Sequence, residues 1–554
     1  MPEHTNKFYV HYHTHMKQLT TQYDRTFYII SLLTILLLAI AYTTHLTVLE
    51  IDPRLDEIRR GLVTLEMMLR DNYMVPTING ELYLNKPPLY NWLLALSYKT
   101  FGINEFALRI PVIAAIFWFG WLIFHFTSKS ISKNAAIIAS LFFISNGRIL
   151  IYDSLIGLID ILYSSFVYLS FMVVYYYGKK EKWYQLFIYS YLLVALGYLM
   201  KGLPSLVYQA FLLGIFFIII EKKWKILFHK AHFAGAGIMV ALLGIYYYIY
   251  FQQVNLSPAD LFKKIISESA IRTYKNDGNW LKDFTIHFTT YPMVFAYHYA
   301  PWTLLLLPVI RKNGLGILKK NNFIWFNAIL FFACFFIYWL SPYIIARYMF
   351  MLLPLCFTVA AYYAMQVVNP DEKVTNLIYK TLSGLLIAVG VGCLVLPFLT
   401  FTNHLPGIFW KAILVASMLT TCGYFAFRYP SLRLSFIILG IVCSRFGFNW
   451  FVVEQRGRFS VEQRIEAEKV MKIAGGRPIY LEKGAEHGNP DGLSFNIALA
   501  QKRILPLTDS IIPNAVYVTD SVTMVKKPHR VLYHWASQFQ PNHYLVQYIS
   551  SGNP

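Results

Sequence analysis

Apolar residues along this chain come in runs of bilayer length, separated by short polar connections. A hydrocarbon core of about 30 Å takes roughly 20 helical residues. The pattern predicts spans near 27–47, 105–127, 134–150, 157–177, 184–200, 204–220, 232–251, 291–310, 323–340, 348–367, 381–401, 406–427 and 434–453, about thirteen in all. The run ending near Ala39 and Ala41 imitates a cleavable signal, but the polar leader before it is long and the apolar stretch continues past Ala41. A retained helix is expected.

Two helical patterns are amphipathic instead. After Pro53, Leu55, Ile58, Leu62, Leu65 and Leu69 recur at three- and four-residue steps, which predicts a helix lying along the membrane surface. On it Asp56 precedes Arg59 and Arg60 at helical-neighbour spacing, and the simplest reading is a surface ion pair. MVPTI and ELYL then flank Asn79 and Gly80, the pair best suited to a type I′ hairpin turn. The hairpin returns the chain to Lys86, and Pro87 and Pro88 open a second surface helix, LYNWLLALSYKTF. Lys86 is thereby expected near the first helix.

Composition agrees: 56% of 554 residues are hydrophobic, 17% aromatic and 14% charged. Formal net charge is +20, and its sign has a topological cause. With a cytoplasmic N-terminus, alternate connections carry Lys129 and Lys133, then Lys179, Lys180 and Lys182, then Lys222, Lys223, Lys225 and Lys230, then Arg311, Lys312, Lys319 and Lys320. These bases suit anionic membrane lipids, and being spread over separate loops they call for no nucleic-acid partner.

The opposite connections hold Asp56, Glu57, Arg59, Lys86, Asp153, Lys201, Arg272 and Arg347, an acid and base set gathered on one outer side. Asp153 lies between apolar runs, where a carboxylate is costly and is kept for a partner or a function. Asp160 follows inside the next span, and a structural hydrogen bond explains it equally well. Lys201 could snorkel or stop a helix before Gly202 and Pro204. Arg347 shares that ambiguity, although a guanidinium suits a phosphate. His287 and His298 lack metal-site spacing, so no required metal is expected, and the five cysteines, all in expected spans, read as packing residues. No Gly-rich phosphate loop and no cofactor motif is present. The tail changes character. PIYLEKG, AVYVTD, RVLYHWAS and HYLVQYIS read as strands, with SVEQRIEAEKVMKIA and LSFNIALAQ as helices. The expected organisation is therefore a transmembrane domain over 1–456, with a first external loop at 48–104, and a small external α/β domain over 457–554 with nothing catalytic in it.

DEIRRGLVTLEMML and NYMVPTINGELYLNKPPLYNWLLALSYKTFGINEFALRIP resemble the first external loop of polyprenyl-phosphate-sugar glycosyltransferases, the group of protein O-mannosyltransferases and lipid A aminoarabinose transferases. RILIYDSL, LMKGLPSLV, ESAIRTY and SPYIIARYMFMLLP resemble later motifs in the same order. The resemblance implies an α-helical polytopic membrane protein of the C-type glycosyltransferase fold in the bacterial cytoplasmic membrane. It implies an undecaprenyl-phosphate sugar donor, a lipid, glycan or protein acceptor at the outer face, and inversion at the sugar; a monomer is expected. It assigns Asp56 as catalytic carboxylate supported by Glu57, with Asp153 orienting the acceptor or a basic partner. Arg59, Lys86, Lys201, Arg272 and Arg347 would hold the donor phosphate. Arg60 stands where the aminoarabinose enzymes carry tyrosine, and Asn85 where glutamate often stands, so lipid A does not follow as acceptor. A lipid-sugar flippase would place its charges near the bilayer midplane within pseudo-repeats, and a non-catalytic binder would tolerate loss of Asp56.

Overall fold

The computed structural model describes residues 24–47, 56–270, 280–310, 314–341, 345–366, 373–456, 462–487, 490–537 and 540–549. The apolar runs become helices. Among the described residues nine helices are long and apolar enough to cross a membrane, beginning with α1 (Asp24–Thr43). A tenth span results if Lys133–Ile144 and Gly147–Leu155, bent by 47°, are taken together. Two other expected spans are shorter apolar helices, Pro204–Ile220 and Leu353–Met365. The one expected at 291–310 is divided between Trp280–His298 and a tighter helical turn, Trp302–Ile310. Pro301 stands at the division, where a missing N–H and a bulky ring cannot continue a helix. The chain is a multi-pass membrane protein.

After α1 come α2 (Asp56–Leu69), β1 (Thr77–Ile78), β2 (Glu81–Leu82), α3 (Leu89–Phe101) and α4 (Glu105–Ser130). The next helices are α5 (Lys133–Ile144), α6 (Gly147–Ile151), α7 (Asp160–Lys179) and α8 (Trp183–Lys201). The main core lies where these pack, around Phe119, Phe142, Tyr168 and Trp302. Trp302 stacks on Phe142 at 4.5 Å and donates its indole N–H to the Ser145 hydroxyl, so its polar atom is satisfied inside the bundle.

The hairpin forms as its sequence predicts. Thr77 pairs with Leu82 and Ile78 with Glu81 across a two-residue turn, with φ of 51° at Asn79 and 77° at Gly80. Positive φ at both central residues is what a type I′ turn requires. Buried Glu66 of α2 holds the turn from below, accepting hydrogen bonds from the Thr77 hydroxyl (2.8 Å) and the backbone N–H groups of Asn79 (2.6 Å) and Gly80 (3.2 Å).

Helix α2 does not leave its apolar stripe free for a bilayer. Its stripe, Ile58, Leu62 and Leu65, packs on Phe495 and Ala498 of the C-terminal helix Asp491–Gln501. The amphipathic pattern was real, and a protein helix covers the apolar face. The second expected surface helix, α3, buries Leu94 and Tyr98 against α4 while leaving Leu93 and Leu96 exposed.

The tail forms a five-stranded sheet, in which β3 (Ile479–Glu482), β4 (Leu507–Thr508), β5 (Val516–Thr519), β6 (His529–Ser537) and β7 (Gln540–Tyr548) take the order β4-β3-β5-β7-β6. The first three strands are parallel and the last two antiparallel. Leu481, Val516, Val518 and Leu545 fill its core against Ala467 and Ile497 from two helices. The two-residue β4 is too short to leave a readable alternation.

His543 on β7 is buried, and desolvation together with the neighbouring His487 pushes its imidazole down to about 4. The unfolded chain therefore takes the proton first as pH falls below about 6.5, and the stability lost accumulates down to about pH 4, on the order of 3 kcal/mol. The melting midpoint of the full-length protein is expected to fall over that window and to fall less in His543→Gln.

Candidate active site

Four charged residues at the ends of separate elements meet on one side of the bundle. Asp56 opens α2, Asp160 opens α7, Lys201 closes α8, and Arg347 sits on a short turn, Ala346–Met349. Arg347 Nη2 reaches Asp56 Oδ2 at 2.7 Å, and its Nε lies 3.4 Å from Asp160 Oδ2. Lys201 Nζ donates to Asp160 Oδ1 at 2.5 Å. The order is Asp56, Arg347, Asp160, Lys201, two acids and two bases in alternation. Acids at helix N-termini and a base at a C-terminus also complement the helix dipoles. Asp160 and Lys201 are almost fully buried, where an unpaired charge would cost several kcal/mol, so each makes the other tolerable. Lys201 Nζ further lies 4.3 Å from the Tyr348 ring centre and 4.9 Å from that of Tyr163. Asp56 differs from its partners in being about half exposed, at 49% of its side chain.

Beside this chain of charges is a cavity of about 720 Å³. Lys86 and Lys201 both line it, together with Tyr83, Tyr208, Tyr246, Tyr250 and Tyr338. Two ammonium groups in an aromatic wall set positive charge beside a large apolar surface. Among the described residues no group of three or more His, Cys, Asp or Glu side chains is placed to hold a metal ion.

Not all the residues expected in the site arrive there. Glu57, expected beside Asp56 in the chemistry, is 1% exposed and bonds Arg109 through both carboxylate oxygens, at 2.8 and 3.1 Å. It also accepts the Gly157 N–H at 2.6 Å. It faces the bundle. Arg59, expected on the donor phosphate, reaches the other way and donates to Asp491 Oδ2 at 2.8 Å. Arg60 hydrogen-bonds the Tyr83 hydroxyl and lies over that ring at 4.9 Å, so neither arginine forms the simple surface pair with Asp56. Asp153 is buried and pairs with Arg148 at 2.7 Å. Arg347, expected on phosphate, bridges two carboxylates. Arg272 lies outside the described residues.

Asp160, which the sequence left divided between structure and function, is the centre of the charge chain. Its signal was a carboxylate at the start of an apolar run. Arg109, Arg148 and Asp491 gave no signal, because each owes its place to a partner distant in sequence or to a local fold.

Residues 85–251 match the family model described as dolichyl-phosphate-mannose-protein mannosyltransferase. An uncharacterized protein of Aquifex aeolicus (strain VF5) is 28% identical over 244 residues, covering 42% of this chain and 46% of that protein. Undecaprenyl phosphate-alpha-4-amino-4-deoxy-L-arabinose arabinosyl transferase 1 of Proteus mirabilis (strain HI4320) is 29% identical over 167 residues, 28% of this chain and 29% of the relative. The chain thus matches less than half the length of these curated relatives. The crystal structure of ArnT from Cupriavidus metallidurans bound to undecaprenyl phosphate superposes with a TM-score of 0.64 at 16% identity, covering 94% of this chain and 99% of that one. The last likeness is one of fold.

Proposed function

We propose that this chain, a member of the polyprenyl-phosphate-sugar-dependent glycosyltransferases by its C-type fold and its matched segment, transfers a sugar from a polyprenyl-phosphate donor to a lipid, glycan or protein acceptor. The reaction takes place at the outer face of a bacterial cytoplasmic membrane and inverts the sugar. The observation that carries this reading is the half-exposed Asp56 at the head of a buried charge chain, next to an aromatic cavity lined by two lysines.

In this mechanism the donor phosphate sits between Lys86 and Lys201, with the first part of the isoprenoid against the tyrosines. Asp56 accepts the proton of an acceptor hydroxyl, or steers an acceptor that is already anionic. The acceptor oxygen forms a bond to the sugar C1 from the face opposite the phosphate, and the C1–O bond to phosphate breaks. The electron pair leaves with the polyprenyl phosphate, whose growing charge the two ammonium groups stabilise in a site of low dielectric. Arg347 is assigned to holding Asp56 and Asp160 in register, and Glu57 to holding α2. Asp153 is assigned, through Arg148, to shaping the outer corner between α6 and α7.

Lys86→Met tests the phosphate assignment. A hydrogen bond to a charged group contributes about 1.5–3 kcal/mol, so the donor KM is expected to rise about 10- to 100-fold. The function itself is tested with purified protein, a radiolabelled polyprenyl-phosphate sugar pool and membrane acceptors. Label that leaves the polyprenyl lipid supports transfer, and the labelled product identifies the acceptor. Label that only crosses liposomes without changing its carrier identifies a flippase and refutes this reading.

A further inference from the structure

We propose that Asp491, contributed by the C-terminal sheet unit, is a positioning residue for the Asp56 carboxylate, acting through Arg59. The inference rests on the transfer reading above. It also takes Arg59 out of the donor-phosphate set.

The first turn of α2 is gripped from two sides. At about 100° of rotation per residue, Glu57 projects about 100° to one side of Asp56 and Arg59 about 60° to the other. Glu57 is tied to the bundle by Arg109 and the Gly157 N–H. Arg59 is tied to the C-terminal unit by Asp491. Asp56 lies between the two attachments, so the direction of its carboxylate toward Arg347 depends on both.

The Asp491 attachment is built to be strong. The carboxylate is only 4% exposed and the Arg59 side chain 33%, so water and salt reach the pair from the arginine side only. Burial raises its proton affinity, and the guanidinium of Arg59, with that of Arg60 behind it, works against that shift. Asp491 opens the helix Asp491–Gln501, where the dipole also favours a negative charge. The helix is seated closely, because Gly61 of α2 leaves room for Phe495. A Cβ at position 61 would lie 3.3 Å from that ring and 3.1 Å from the Tyr98 hydroxyl. Farther from Asp56, the Leu507 N–H donates to the Asn79 carbonyl at 3.0 Å and Lys483 pairs with Glu81 at 2.7 Å. Those contacts seat the sheet on the hairpin. The Arg59–Asp491 pair, beside the packing of Ile58 on Phe495 and Ala498, reaches the turn that carries Asp56.

Steady-state transfer by the full-length protein tests this, comparing wild type with Asp491→Asn, Arg59→Lys, the charge reversal R59D/D491R, and Lys483→Ala as a docking control. Displacement of a reacting group by about 1 Å costs on the order of 100-fold in rate. Asp491→Asn is therefore expected to lower kcat about 10- to 100-fold with donor KM within about two-fold of wild type. Arg59→Lys, which keeps the charge but loses the planar geometry, is expected to shift kcat in the same direction by less. It supplies the readout if Asp491→Asn does not fold. The reversed pair is expected to recover part of the loss, and Lys483→Ala to retain wild-type kcat.

Wild-type kcat in both Asp491→Asn and Arg59→Lys would overturn the proposal. So would a rise in donor KM for Arg59→Lys together with a fall for Asp491→Asn, which would return Arg59 to the phosphate. If wild type transfers nothing, the glycosyltransferase reading fails on its own. Amide exchange over residues 57–62 then decides the positioning step: faster exchange in Asp491→Asn supports it, and unchanged exchange refutes it.

Discussion

Asp56→Asn is expected to lower kcat by about 10²- to 10⁴-fold, the range a positioned general base contributes, while donor affinity changes little. The amide has nearly the size of the carboxylate, and its oxygen still accepts from Arg347, so the bridge to Asp160 keeps its geometry. What is lost is the ability to take a proton or to steer with a negative charge. Lys86 and Lys201 are untouched, so binding of a polyprenyl phosphate is expected to persist. The check is paired: single-turnover transfer and equilibrium binding of the same labelled donor. Transfer within ten-fold of wild type would remove Asp56 from the chemistry. Loss of binding together with transfer would make it part of the donor site.

Much of the fold was legible because long apolar runs have few structural outcomes. The hairpin was legible because Asn79 and Gly80 are residues that accept positive φ, and the tail strands because alternation and turn residues coincide. What covers the stripe of α2 was misread for a physical reason. An apolar stripe at helical spacing states that one face is covered, not by what, and here Phe495 and Ala498 come from more than 400 residues farther along the chain. The site was half legible. Composition brought acids and bases to one side, but pairing is decided in three dimensions. Asp56 and Glu57 look equivalent in sequence until one meets Arg347 and the other Arg109.

That divergence gives the prediction with the largest effect on stability. Glu57 and Arg109 are each about 2% exposed or less, and removing one partner of such a pair leaves an uncompensated buried charge, at a cost of about 3–5 kcal/mol. Arg109→Met is expected to be the more damaging single change. It strands the Glu57 carboxylate and also removes the donor to the Leu46 carbonyl, which joins the end of the first span to α4. Glu57→Gln retains an acceptor for the Gly157 N–H, but takes from the Arg109 guanidinium the carboxylate it is bonded to. The double variant Glu57→Gln/Arg109→Met removes both charges and is expected to recover part of the stability lost by Arg109→Met, since neutral replacement of a buried pair is tolerated far better than its rupture. Thermal unfolding in detergent measures all three. The same melts on Asp56→Asn separate the neighbours: that variant is expected to unfold like wild type while failing to transfer. A Glu57→Gln protein that melts like wild type and fails to transfer would place Glu57 in the chemistry, and α2 would then be held by other contacts.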